Sequence, residues 1–461
     1  MKVVEEEQRI RVMEGPWDAV SVIREIVESG QQEDPFYVFD LGEVVARYHK
    51  WKATMPRVEP FYAVKCNDDK LLLTTLAALG TGFDCASRAE IETVQQLGVR
   101  PERIIFANPA KMASHMRHAA AAGVRTVTFD SETELMKLKQ YMPEAKLVIR
   151  IRCDAAEAQC PLGIKFGCDP VADAPRLLKL AAVLQLEVVG VSFHVGSGAR
   201  ETAVYARAIH FARALFDMGA CVGHVGMRLV DLGGGFPGNH DTSIDEVAEV
   251  INEALELHFP ERSVQVIAEP GRYFAAAAYT LAAVVHSKRE VVSKLEDSDV
   301  AETSTMYYIN DGVYGSFNCV LYDHQHVVAE PLREHDDEPL LPCSIWGPSC
   351  DSLDCVITDT RMPPLAVGEW LVFRDMGAYT LPVASPFNGF PVPRVRAVID
   401  HGLWGIVKEL WPLTEGHFMI GGRMTGPQRE ASPSPPPVLL EPHIPNGQQN
   451  HRALFVECAL K

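Results

Sequence analysis

PFYAVKCN (Pro60–Asn67) is an apolar run of strand-forming residues that stops at a lysine, a cysteine and an asparagine. Seven more runs follow with the same grammar, apolar first and polar or glycine-rich last. They are GFDCAS (Gly82–Ser87), RIIFANP (Arg103–Pro109), TVTFDS (Thr126–Ser131), KLVIRI (Lys146–Ile151), VVGVSFHVGSG (Val188–Gly198), RLVDLGGGFPG (Arg228–Gly238) and VQVIAEPGRYF (Val264–Phe274). Helical patterning fills the intervals, and strands alternating with helices call for a parallel sheet. Eight such units in a stretch of this length match a closed (β/α)8 barrel of the TIM type, an α/β fold. In that fold the strand ends form one face, where chemistry is done. Lys65, Asp84, Asn108, Asp130, Arg150, His194, Gly233 to Gly235 and Glu269 are therefore expected around a single mouth.

The chain has 461 residues, more than one hydrophobic core usually organises, so two domains are expected. Its apolar fraction of 47% and charged fraction of 23% are those of an ordinary globular protein. A formal net charge of −18 argues against nucleic acid or an anionic membrane as the main partner. The acidic field attracts cationic small molecules and equally serves solubility. Eleven cysteines are scattered with no CxxC or Cys/His array, so no metal site is expected. MKVVEEEQRI at the N-terminus contains no signal peptide or membrane span, which makes reduced thiols in the cytoplasm the default expectation.

Residues 1–39 read as an N-terminal segment that packs with a β domain, and the barrel as residues 40–280. Ser87-Arg-Ala-Glu90 and Ser131-Glu-Thr-Glu134 fit capping boxes directly after strands. Leu72, Leu76 and Leu79 stack on one side of a helix that stops at Gly80. Helical spacing recurs from Ala203 to Phe216, and Ser243 opens another helix. Past residue 280 the pattern shifts to short β-like stretches such as YTLAAVVHS, MYYINDGVYG, CVLYD, CSIWG, CVITD, EWLVF and VRAVI. They predict a second, mostly β domain over 281–425, a barrel or a sandwich. Residues 426–461 are polar and proline-rich and read as a flexible tail.

Several of these residues can carry chemistry, each beside a plainer reading. Lys65, at the end of a buried strand, can form a Schiff base with a carbonyl, or can simply reach solvent from the strand tip. The glycine run Gly233, Gly234, Gly235 lets backbone N–H groups approach a phosphate, where a tight turn is the alternative. Arg272 supplies a cation suited to the same phosphate. Glu269 can keep a pyridine nitrogen protonated, or form a structural salt bridge. His194 can stack on a planar ring, act in acid–base chemistry, or sit satisfied in the core. Glu90 and Glu134 read as helix caps, and Asp130 and Asn108 stay ambiguous. WGPSCDSLDC (Trp346–Cys355) gathers Cys350, Asp351 and Asp354; a loop cysteine can protonate a carbanion. Asp351 and Asp323 can bind a cationic end group, although exposed loop residues explain the spacing equally well.

Taken together, the motifs resemble the eukaryotic ornithine decarboxylases, within the barrel-type group of pyridoxal-phosphate amino-acid decarboxylases. The resemblance covers roughly residues 34 to 405. It rests on PFYAVKCN, GFDCAS, IKFG, VSFHVGSG, DLGGGFPG, EPGRY, NDGVYGSFNCVLYDH, WGPSCDSLD, MGAYT and FNGF, nearly all in order. It implies an alanine-racemase-like barrel and pyridoxal 5'-phosphate carried by Lys65. Ser197, the glycine run with Gly235, Gly271, Arg272 and Tyr379 would cradle the phosphate. Glu269 would face the ring nitrogen and His194 the ring, with Asp84 and Arg150 nearby. Tyr322, Asp323, Asp351 and Phe387 would bind substrate, and Cys350 would protonate the α-carbon once CO2 leaves. It further implies a homodimer with shared active sites, Lys165 and Asp354 forming an ion pair between subunits.

Related barrel-fold racemases carry arginine where Glu269 stands, so Glu269 points to decarboxylation. A non-catalytic relative of the antizyme-inhibitor type is the main rival, and it would be expected to lose cofactor or substrate contacts that this chain keeps. Another basic amino acid, lysine or arginine, is the second, because one methylene in a pocket shifts preference by only ~1–3 kcal/mol. A Schiff-base aldolase without the cofactor is disfavoured by the phosphate cradle together with Glu269. Antizyme remains an expected partner on the weak likeness of Met112 to Met136 to the family's antizyme-binding region.

Overall fold

The computed structural model describes residues 9–155, 158–160, 163–199, 201–294 and 301–420. The eight apolar runs become the eight strands of a closed barrel: Val58–Ala63, Gly82–Cys85, Ile104–Phe106, Thr126–Phe129, Lys146–Arg152, Glu187–His194, Leu229–Asp231 and Gln265–Ala268. Every pairing is parallel, and the eighth strand closes on the first through Val266↔Val58 and Ile267↔Glu59. Side chains fill the interior. Phe61, Ile105, Val148, Val189, Leu229 and Ile267 form one buried cluster, as barrel layers require. A Cβ on Gly82 would run into the Phe61 ring, so that strand begins on glycine.

The crossover helices start and stop where local chemistry dictates. Asp69 caps Lys70–Leu79 by accepting from the N–H groups of Leu71 and Leu72 at 2.9 and 3.1 Å, and Gly80 ends it at φ +91°. Ser87 and Ser131 each accept an N–H at 3.3 Å, from Glu90 and Glu134. Glu90 also reaches back, to the Ala86 N–H at 2.6 Å. Glu134 does not cap. Its carboxylate turns to Lys111, whose ammonium lies 2.8 Å away and also donates to the carbonyls of Asn108 and Thr128. Lys111 is wholly buried, and burial pushes its ammonium down to about 8, because neither Glu134 nor the carbonyls replace full hydration. Farther on, the helix expected over Ala203–Phe216 extends to Cys221, and the helix Asp245–His258 opens two residues after Ser243.

Outside the barrel lies one ten-stranded mixed sheet, where a barrel or sandwich was expected. Its spine is the 16-residue strand Tyr279–Lys294. That strand pairs antiparallel with Phe36–Asp40 at its start and with Ala301–Ile309 farther along. Phe36–Asp40 and Tyr279 flank the barrel in sequence, so their pairing ties its two ends together. The Phe39 and Tyr279 rings stack there at 4.3 Å. Ile10–Met13 adds to the same sheet, parallel to Arg394–Asp400 and Phe418–Ile420. One β-like stretch is misread: CVLYD is a short helix, Asn318–Tyr322. It buries Asn318 and Cys319 while Leu321 and Tyr322 stay exposed, and the Asn318 amide bonds the carbonyls of Gly315 and Thr380. The tail 426–461 and residues 295–300 lie outside the described residues. Among the described residues no helix is long and apolar enough to cross a membrane.

Replacing Lys111 takes the buried counter-charge from Glu134, which would keep only the partly exposed Lys137 at 2.5 Å. Lys111→Met is therefore expected to destabilise the fold by about 3 kcal/mol in urea unfolding. A wild-type midpoint and slope would show that the pair contributes nothing.

Candidate active site

Lys65 leaves the first barrel strand in a single 3-10 turn, Val64–Cys66. That turn is held from both domains. The Tyr62 hydroxyl donates to the Asn67 carbonyl at 2.9 Å, and the Asn67 amide donates to Gly377 at 2.8 Å. The Tyr379 N–H donates to the Cys66 carbonyl at 2.8 Å. The Lys65 ammonium pairs with Asp84, which lies near the end of the second strand. Burial alone would depress the lysine, but Asp84 and Glu269 outweigh it and push its pKa up.

Strands seven and eight bring two more carboxyl groups to the same rim. Asp231 accepts from the Gly233 N–H at 2.9 Å, and the Glu269 N–H donates to the Gly233 carbonyl at 2.6 Å. Asp231 Oδ2, Glu269 Oε1 and Asp84 Oδ1 are buried without a hydrogen-bond partner. Burial, then the charges of Asp231 and Asp84, push the Glu269 carboxyl well above its ordinary range. Burial likewise raises Asp231 to about 6. Glu269 is thus biased toward its protonated form by burial and by its two acidic neighbours, and it lines the cavity.

Gly234 and Gly235 floor that cavity because nothing larger fits. A Cβ on Gly234 would stand 2.7 Å from His194 Nε2, and one on Gly235, at φ +108°, would stand 2.7 Å from the Gly196 carbonyl. His194 Nδ1 accepts from the Gly196 N–H at 3.1 Å, which leaves the ring proton on Nε2. Burial first, then Arg150 and Lys65, pushes the imidazole well down, so it is neutral. Arg272, at the far end, donates to Ser197 Oγ at 3.1 Å and to Asp323 Oδ2 at 2.6 Å, and lies over the Tyr379 ring at 5.3 Å.

The structure therefore gathers Lys65, His194, Ser197, Gly234, Gly235, Glu269, Gly271, Arg272 and Tyr379 around one cavity. Asp84 lies beneath Lys65, Gly233 supports Glu269, and Arg150 sits on strand five, over the Phe166 ring at 5.3 Å. Asp130 accepts from the Gly167 N–H and Asn108 from the Ala110 N–H, so both support loops. Cys350, Asp351 and Phe387 are not in the lining. They form a second group on the β domain, where Phe387 stacks on Tyr314 at 4.2 Å and the Tyr314 hydroxyl donates to Asp351. The Cys350 N–H donates to Asn388 Oδ1 at 3.1 Å.

Lys165 and Asp354 do not pair within the chain. Asp354 accepts from the N–H groups of Val313 and Ser349, both at 2.8 Å, and Lys165 lies over the Phe166 ring. Tyr322 is exposed. Sequence reasoning missed Asp231 as a neighbour of Glu269, although both stand at the ends of adjacent strands. It also missed the ion pair of Arg272 with Asp323, for which the sequence carries no local signal.

An amine, a buried carboxyl of raised proton affinity, a flat-sided imidazole and a glycine-floored cation make an asymmetric set. It fits a ligand with a carbonyl, a ring nitrogen and a phosphate. Arg272 Nε, buried without a partner, is a further donor in the pocket's charged end. Comparison with known proteins agrees. Residues 41–276 match the family model "Pyridoxal-dependent decarboxylase, pyridoxal binding domain". The chain is 49% identical to the ornithine decarboxylase of Rattus norvegicus over 83% of its own length and 85% of that protein. It is 47% identical to antizyme inhibitor 2 of Xenopus laevis over 84% and 86%. The arginine decarboxylase of Paramecium bursaria Chlorella virus, solved bound to agmatine, superposes with a TM-score of 0.77 at 38% identity, covering 82% of this chain and all of that one.

His240 ties the segment after the glycine run to the loop that carries Tyr379. Its Nδ1 lies 2.7 Å from Asp375 Oδ1, and that bond pushes the imidazole above its ordinary value. A raised histidine stabilises the fold below its unfolded value of ~6.5, and the contribution is lost as pH rises through the folded value. His240→Gln should lower the melting temperature below pH ~6 and have little effect above pH ~9. Equal losses at both would contradict the charge pairing.

Proposed function

The chain belongs to the pyridoxal-dependent decarboxylase family, and we propose on that footing that it converts L-ornithine to putrescine and CO2, the entry step of polyamine synthesis. The observation that carries this reading is the convergence of Lys65, Glu269 and Arg272 on one glycine-floored cavity. Pyridoxal phosphate, when bound, supplies a carbonyl that joins an amine and an electron-deficient ring that accepts the electron pair left when CO2 departs.

Each residue then has a task. Lys65 offers the amine that carries the cofactor, and its pairing with Asp84 aims it at the cavity. Glu269 would face the ring nitrogen and share a proton with it, and burial with Asp231 and Asp84 beside it raises this carboxyl's own proton affinity. Neutral His194, its proton on Nε2, would pack against the cofactor ring. Ser197, the glycine run, Gly271, Arg272 and Tyr379 hold the phosphate end. Asp323 and Asp351 receive the distal ammonium, Tyr322 and Phe387 line the substrate's path, and Cys350 returns a proton to the α-carbon. Because Cys350, Asp351 and Phe387 stand apart from the Lys65 cavity in one chain, the reading includes a homodimer in which a second copy completes each site. Lys165 meeting Asp354 across that interface belongs to the same reading, as does a cytoplasmic location.

Two rivals have specific support. Likeness to antizyme inhibitor 2 raises a non-catalytic regulator, and with it antizyme as a binding partner. Against the first stand the Lys65, Asp84, Arg150, His194, Glu269, Cys350 and Asp351 side chains, all present. Likeness to a viral arginine decarboxylase raises another basic substrate, which the assay below separates.

Purified protein given carboxyl-labelled ornithine should release CO2 only with added pyridoxal phosphate, and lysine or arginine should compete weakly. No release from folded protein supplied with the cofactor would leave the regulator as the reading. Cys350→Ala should slow putrescine formation or divert the protonation; an unchanged rate and product ratio would remove Cys350 from the mechanism.

A further inference from the structure

The cation at the phosphate end of the cavity is already claimed. Arg272 and Asp323 are both buried, 8% and 8% exposed, and their side chains meet at 2.6 Å. Asp323 is held in place by its own backbone. Its N–H bonds the Cys319 carbonyl at 3.0 Å, Gln325 N–H bonds the same carbonyl at 3.1 Å, and the Gln325 amide bonds the Asp375 carbonyl at 3.1 Å. A buried guanidinium left without a counter-charge is costly, so this carboxylate secures Arg272 before any phosphate arrives.

The same carboxylate opposes the phosphate, because it cancels much of the positive potential that would attract a dianion. Once a phosphate shares Arg272, Asp323 stands beside that dianion in a water-poor site and gains affinity for a cation. Building on the roles assigned above, we propose that the Asp323–Arg272 ion pair couples two adjoining subsites: a diammonium ligand at Asp323 and a phosphate at Arg272 each tighten the other's binding. Such coupling is reciprocal by linkage.

The test uses full-length protein without cofactor and inorganic phosphate as the probe, read by titration calorimetry at constant ionic strength. Putrescine should tighten phosphate binding to the wild type about fivefold or more. Asp323→Asn should bind phosphate about tenfold tighter without putrescine and lose the putrescine effect. With the same variant, pyridoxal phosphate should bind tighter while pyridoxal, which lacks the phosphate, binds unchanged. A folded Asp323→Asn protein with equal or weaker phosphate affinity would mean that Asp323 only props Arg272, and would overturn the proposal. Should that variant not fold, the wild-type putrescine effect decides alone, and its absence overturns the proposal equally. Failure to decarboxylate ornithine would count against the proposed function without touching the phosphate measurements.

Discussion

Closure of a parallel barrel is the constraint on which the rest depends. Because the eighth strand must pair with the first, the C-terminal ends of all strands come to one rim. Three carboxyl groups, Asp84, Asp231 and Glu269, are thereby buried at that rim, and Lys65 pairs with the first of them. Holding carboxylates this close together without water disfavours their ionised forms. Burying unpaired charge is far costlier than protonating a carboxyl, so Glu269 and Asp231 shift upward and Lys65 keeps its charge through Asp84. The barrel thus sets the protonation pattern through geometry rather than through any single strong contact.

The second domain fixes what the barrel leaves loose. A turn as short as Val64–Cys66 has few bonds of its own, and the β-domain loop around Tyr379 supplies them through the Cys66 carbonyl and the Asn67 amide. The long strand Tyr279–Lys294 transmits that alignment, since it begins where the barrel ends and pairs with the strand that precedes it. Charge is divided along the cavity in the same way, with a carboxyl of raised proton affinity at one end and the Arg272–Asp323 pair at the other.

The barrel was legible in the sequence because its strands are buried on both faces and so read as unbroken apolar runs. Each run ends at the polar residues that form the rim, so the chain's own pattern suffices to bring Lys65, His194, Glu269 and the glycines together. CVLYD failed because so short an apolar run has no period to distinguish strand from helix. Glu134 failed for a different reason. The capping pattern is local, whereas Lys111, which captures the carboxylate, comes from another crossover. The WGPSCDSLDC motif stood out as a cluster, yet nothing local could say that it would lie apart from Lys65 within one chain. Contacts between distant segments, such as Arg272 with Asp323, leave no trace in spacing at all.

The measurement that bears most directly on this account is the attachment point of the cofactor. The protein is incubated with pyridoxal phosphate, reduced with borohydride, digested, and its peptides weighed. The account predicts one cofactor mass per chain, on the peptide that contains Lys65, and none on the same peptide when Lys65 is replaced by alanine. Label on another lysine, or none on protein that remains folded, would contradict the reading of this rim as a pyridoxal-phosphate site.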